Sequence, residues 1–168
     1  FGGEYPFSQI GSLDKFGSII TEYSQTLNEQ GLKASKMFEQ GTIVIAIVGG
    51  TIGNLGVLGL PMCFPDSMVG IKPVDYLNQD HVLMLLKYKQ NEIISAAYQM
   101  AGQPNIKLPN LTSLVVPIPP SGEAAAIVKK IQRLFTQVDA LETELKNRQV
   151  QTEQLMQAVL AEAFSLSL

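Results

Sequence analysis

Apolar and polar positions along this chain follow two different patterns, and they change over near Pro117–Gly122. Before that point short apolar bursts alternate with turn residues. The clearest burst runs from Gly41 to Val48, β-branched almost throughout and apolar on both alternating faces, which predicts a strand in the middle of a sheet. The cluster from Gly49 to Asn54 predicts a tight turn, and Leu55 to Leu60 a second strand. Ser67 to Lys72 reads as another strand closed by Pro73, and Leu114 to Pro117 as a last one. Residues Asn78 to Met100 are helical in composition, with Val82, Leu85, Leu86, Ile93, Ala96 and Ala97 on one face.

After Gly122 there is neither Gly nor Pro through Leu168, although the chain holds fourteen glycines and nine prolines. Such a stretch reads as one helix, with Ser121 as its cap and Glu123 at the positive end of its dipole. Its apolar residues fall at Ile127, Ile131, Leu134, Val138, Leu141 and Leu145, a 4-3-4-3-4 spacing that defines a heptad seam. The same register continues through Arg148, Thr152, Leu155, Val159 and Glu162, so eight of eleven seam positions are apolar. Polar seam residues fix register or orientation at some cost in stability. A rod this long cannot bury its seam alone, so a partner helix is expected. The predicted fold class is α+β: a strand-rich domain over residues 1–120, followed by one long C-terminal coiled-coil helix over 121–168.

Composition narrows the function classes. The chain has 168 residues, 46% apolar and 16% charged, enough apolar content for a packed core. A single cysteine, Cys63, excludes an internal disulfide and a cysteine-rich zinc cage, and fits a reducing, cytoplasmic setting. No apolar run reaches the roughly 18 residues that span a bilayer, so no membrane partner is expected. The start, Phe1 to Phe7, has neither the basic beginning nor the apolar core of a signal peptide and no initiator Met, and reads as a trimmed chain. A net charge of −3 predicts no broad affinity for polyanions, so any nucleic-acid contact needs a local patch.

Catalytic chemistry finds little support. The glycine cluster from Gly49 to Gly56 resembles a phosphate loop superficially, but strand-like Val57 to Leu60 follows it where a helix should open. His81, the one histidine, reads as a capping or surface residue beside Asp80, and Cys63 as a buried hydrophobe between Met62 and Phe64. No catalytic residue, metal site or cofactor is expected. More suggestive is the polar stretch Ser24–Lys36, read as a surface segment, whose Gln25, Thr26, Asn28, Gln30, Lys33, Ser35 and Lys36 are side-chain types that contact phosphates and base edges.

Four stretches, taken in order, resemble the specificity subunit of type I restriction-modification enzymes. They are Gly41 to Gly53; Phe64 to Pro73; Ala101 to Ile106 leading into Leu114 to Pro120; and Glu123 with Ile127-Val128 opening a helix that closes on Val159-Leu-Ala-Glu-Ala-Phe164. Two departures from the family's pattern stand out: Ala124 follows Glu123 where the family has Gln, and Ser165 follows Phe164 where it has Gly. The resemblance implies a noncatalytic, double-stranded-DNA-recognition component whose domain reads half of a split target. Its helix would pack antiparallel on another such helix and dock methyltransferase subunits. With one domain and one helix, the chain would act as a half-subunit that forms a homodimer. Within that reading Lys33, Lys36 and Lys72 are candidate phosphate contacts, and Gln9, Thr51, Asn54 and Gln103, all near turns, candidate base-edge readers. Ile127, Ile131, Leu134, Val138, Leu141, Leu145, Leu155 and Val159 form the dimerisation seam. The rival reading is a coiled-coil adaptor whose globular head binds protein; a nucleotide enzyme using the glycine turn ranks third.

Overall fold

The computed structural model describes residues 1–98 and 104–165. In chain order the strands and helices are β1 (Tyr5–Phe7), β2 (Ile19–Ile20), β3 (Gln25–Leu27), α1 (Glu29–Lys33), β4 (Met37–Phe38), β5 (Ile43–Ala46), β6 (Leu55–Leu58), β7 (Met62–Cys63), β8 (Met68–Ile71), α2 (Gln79–Tyr88), α3 (Gln90–Ala97), α4 (Leu108–Thr112) and α5 (Ser121–Ser165). The chain divides into two compact units, Phe1–Ala125 and Ala126–Leu168, so the division falls inside α5.

The first unit holds two four-stranded sheets, ordered β3-β1-β7-β4 and β2-β6-β5-β8. In the second sheet β5 pairs antiparallel with β6 on one side, Ile43 opposite Val57, and with β8 on the other, Ile43 opposite Ile71. That central place leaves β5 without a polar face. Ile43 and Ile45 enter a cluster with Leu55, Val57, Leu86, Ile93 and Ala97, which ties the sheet to α2 and α3. Val44 and Ala46 point the other way, into a cluster with Leu13, Ile20, Leu58, Met62, Phe64 and Met68. Each of the larger side chains contributes about 1.5–3 kcal/mol by burial, and the period-2 alternation of a strand distributes them between two cores.

The turn after β5 is a short 3-10 segment, Gly49–Thr51, that returns the chain into β6. Gly49 and Gly53 take φ of +73° and +82°, a region that glycine adopts without steric cost. The turn is also tied down from outside: the Gln90 side-chain amide donates to the Gly53 carbonyl at 2.8 Å.

Several expectations are revised. Residues 114–117 form no strand. Leu114 N–H closes onto Leu111 O as α4 ends, Leu114 packs against the core and Val115 is 84% exposed, because Pro117, Pro119 and Pro120 leave few donors for a ladder. The helical stretch after Asn78 is two helices that share Lys89 as a cap. Its end at Met100 lies outside the described residues. His81 is buried, not a surface residue, and the cap is Asn78, whose Oδ1 accepts from His81 N–H at 3.0 Å. Ser121 is the first helical residue of α5 rather than its cap.

The α5 helix has 45 residues, roughly 68 Å at about 1.5 Å each. From Gln132 to Ser165 every residue is exposed. No helix among the described residues is long and apolar enough to cross a membrane.

A side chain at Gly53 would be strained by its φ and would place a Cβ 2.6 Å from Ile94 Cγ1. Gly53→Val is expected to lower unfolding free energy by about 2–4 kcal/mol in urea titrations; an unchanged midpoint would contradict the account of this turn.

Candidate nucleic-acid interface

The polar stretch Ser24–Lys36 is ordered rather than a plain surface loop. Gln25–Leu27 pairs with β1, Tyr5 opposite Leu27, and Asn28 caps α1 by accepting from Gly31 N–H at 2.9 Å. Asn28 is therefore spent on the fold. Lys33 ends α1 and Lys36 follows it, both exposed. Lys36 Nζ stands 5.2 Å from the centroid of the Phe38 ring, a cation-π distance. Phe38 stacks on Phe64 with centroids 4.1 Å apart and planes 17° apart.

Around this stack lies a concavity of about 680 Å³ lined by Phe7, Phe38, Phe64 and Met68, with Lys36 and Asp66 among its polar members. Lys72 reaches the same neighbourhood of the chain from β8: its ammonium pairs with Glu39, the residue after Phe38. The hydrogen bond from Lys72, and then its charge, hold the Glu39 carboxyl below its ordinary value; the same bond and charge raise Lys72. Both groups are exposed, so the pair adds little to stability, and a phosphate can compete for the ammonium. The structure thus gathers Lys36 and Lys72 at the two sides of β4, with Lys33 three residues before Lys36.

The other candidates lie elsewhere. Gln9 is exposed and opens the 3-10 turn Ile10–Ser12. Asn54 is half-buried and donates to the Leu13 carbonyl at 3.2 Å, which commits its amide nitrogen to holding that segment. Thr51 is half-buried in the turn before it. Gln103 lies outside the described residues. The glycine cluster gives way to a strand, and its N–H groups at Ile52, Gly53 and Asn54 are bonded to Gly49, Ala46 and Thr51 carbonyls, so these three are not free to cradle a phosphate.

Cys63 is buried in β7, and burial pushes its thiol up against an opposing hydrogen bond with Ser35; a thiol held protonated is a poor nucleophile. Among the described residues no three His, Cys, Asp or Glu side chains gather to hold a metal.

Sequence reasoning missed two features. One is the Phe38–Phe64 stack, whose partners are far apart in the chain. The other is Asp14. Its Oδ1 accepts from the N–H groups of Phe16 and Gly17 at 2.7 Å each and of Ser18 at 3.2 Å, and Oδ2 accepts from the Ser18 hydroxyl. Asp14 also exchanges backbone bonds with Leu55, beside the Leu13 carbonyl that Asn54 holds. The run Asp14-Lys-Phe-Gly-Ser18 is the signal that was available, because an Asp followed by Gly and Ser favours a side-chain-closed turn.

A family model for the type I restriction modification DNA specificity domain matches residues 1–151. The chain belongs to that family. Among relatives of this specificity domain, the type I restriction enzyme EcoKI specificity subunit of Escherichia coli strain K12 is 24% identical over 146 residues, covering 82% of this chain and 31% of that protein. The HsdS subunit from Thermoanaerobacter tengcongensis is 25% identical, with a TM-score of 0.64, over 84% of this chain and 32% of that one. A chain from a solved type I R-M system superimposes with a TM-score of 0.76 over 97% of this chain and 39% of its own length, at 24% identity. These solved structures share the strand-rich unit followed by a long helix. The specificity domain described here spans about a third of the length of the relatives it matches.

Burial raises the Asp14 carboxyl, and the hydrogen bonds from the Ser18 hydroxyl and from the Ser18, Phe16 and Gly17 N–H groups outweigh it, leaving the group below its ordinary value. A carboxyl lowered in the folded state contributes stability above its unfolded pKa and loses it as pH falls through the folded one. Asp14→Asn is expected to be less stable than wild type at pH 7, with the gap narrowing as pH drops below the ordinary carboxylate range. A gap that stays constant with pH in denaturation curves would contradict this role.

Proposed function

We propose that this chain is a DNA-recognition component of a type I restriction-modification system, acting in the cytoplasm. In this reading the first unit contacts one half of a split duplex target, and the seam of α5 pairs antiparallel with a second copy. The assembly docks methyltransferase subunits, which supply methyl transfer. The observation that carries the reading is the family match, which runs through the strand-rich unit and on into α5. The exposed seam agrees with it. Leu134, Val138, Leu141, Leu145, Leu155 and Val159 are between 48% and 66% exposed on the single chain, and apolar surface arranged in that pattern is covered in a helix pair.

Lys33, Lys36 and Lys72 would contact phosphates, which positions the head on the duplex without specifying sequence. Gln9, Thr51, Asn54 and Gln103 would stand near base edges, Asn54 through its carbonyl oxygen since its amide nitrogen is engaged. A two-fold pair of heads favours an interrupted palindrome.

The test is retention on duplex DNA as a function of salt, with methyltransferase subunits added. Affinity is expected to fall steeply and linearly in log salt, and each of Lys33→Ala and Lys36→Ala to weaken binding across sequences and reduce the slope by about one. A flat response to salt with the partner present would overturn the reading in favour of a protein-binding head.

A further inference from the structure

The exposed face of α5 in the second unit carries more information than its heptad repeat. Alongside the seam, Phe135 and Met156 are 56% and 58% exposed, each one residue past a seam position, and a plain seam does not account for them. The seam itself is interrupted by Arg148, whose guanidinium bonds Glu144 through Nε at 3.0 Å and Nη2 at 2.5 Å.

These residues discriminate among the ways two copies can pair. Parallel pairing in register stacks Arg148 on its own counterpart and Glu162 on its own, setting like charges against each other within the seam. Antiparallel pairing avoids that. Seam residues then meet in pairs of constant summed number, and flanking residues meet flanking residues of the same side, leaving alignments one heptad apart. Centred on Thr143, the pair opposes Glu142 to Glu142 and Glu144 to Glu144. Centred on Val150, it turns Met156 onto Glu142 and Val138 onto Glu162. Centred between Asp139 and Ala140, it opposes Leu155 to Ala124, which is already buried.

One alignment has none of these faults. With the two-fold axis between Lys146 and Asn147, Val138 meets Leu155, Leu134 meets Val159, and Phe135 meets Met156, each twice. Glu142 and Glu144 then face Gln149 and Gln151. The polar seam residues Arg148 and Thr152 collect near the axis, opposite Leu145 and Leu141, where the Arg148 stem lies on Leu145 of the second copy while its own Glu144 holds the guanidinium.

We propose that α5 is covered by a second copy of this chain in this antiparallel alignment, and that the Arg148–Glu144 pair at its waist sets the register. The proposal rests on the self-pairing stated above and deepens it. It fixes the distance between the two copies' Ala126 residues at roughly 60 Å along the helices, at about 1.5 Å per residue.

Cysteine cross-linking of the full chain tests this, with the wild-type chain and its buried Cys63 as the uncross-linked control. The pair Val138→Cys with Leu155→Cys, and independently Leu134→Cys with Val159→Cys, is expected to give a covalent dimer on mild oxidation, while each single variant does not. Adding Arg148→Leu is expected to abolish the preference for these pairs over Ile131→Cys with Leu155→Cys, which reports the alignment centred on Thr143. Cross-linking of the single variants would show parallel pairing and overturn the proposal; so would cross-linking of Ile131→Cys with Leu155→Cys while Arg148 is intact, or an unchanged preference in Arg148→Leu. If the wild-type chain sediments as a dimer but neither expected pair cross-links, the alignment fails and self-pairing stands. If it sediments as a monomer, both fail.

Discussion

Strand β5 has apolar side chains on both faces and neighbours on both edges, so nothing about it can meet water. Ile43 and Ile45 require α2 and α3 on one side; Val44 and Ala46 require the cluster of Leu13, Met62 and Phe64 on the other. The rest of the first unit follows from satisfying that requirement. Phe64 is held in the second cluster and is therefore fixed where Phe38 can stack on it. The concavity edged by Lys36 is thus anchored, through Phe64, to the same core that buries β5. The functional surface here is made of side chains whose neighbours are committed to the core, and it is rigid for that reason.

The second unit obeys the opposite logic. In α5 the apolar seam lies exposed along its length, and its composition, free of Gly and Pro, keeps the helix continuous without supplying cover for it. Where the first unit closes on itself, the second is incomplete by design of its pattern. A specificity domain built this way separates two tasks. Contact with a half-target belongs to the head, and the number and spacing of heads belong to the helix, whose polar waist at Arg148 and Glu144 restricts how two copies align.

Much of this could be read from the chain before its structure. The strand at Ile43–Ala46, the turn after it and the long helix were legible because each is decided by a local signal: β-branching, positive-φ glycines, and a stretch without breakers. What escaped depended on contacts distant in sequence. His81 is buried because α2 packs on the second sheet, which no window around Asp80 reveals. Residues 114–117 have strand-like side chains, but no neighbouring strand lies beside them and the prolines that follow remove donors. Asn28 and Asn54 have the chemistry to read adenine, yet the fold uses Asn28 entirely as a cap and the Asn54 amide nitrogen to hold Leu13, a choice that residue type alone does not disclose. Lys36 and Lys72 were singled out separately; only the structure shows that both border β4.

The central claim is that one head reads half of a target and the helix pairs two heads about a two-fold axis. Footprinting of the chain assembled with methyltransferase subunits on duplex DNA measures this most directly. The account predicts two protected segments of related sequence, in inverted orientation, separated by an unprotected or sequence-indifferent spacer of fixed length. A single protected segment, or two segments whose separation varies freely, would contradict it.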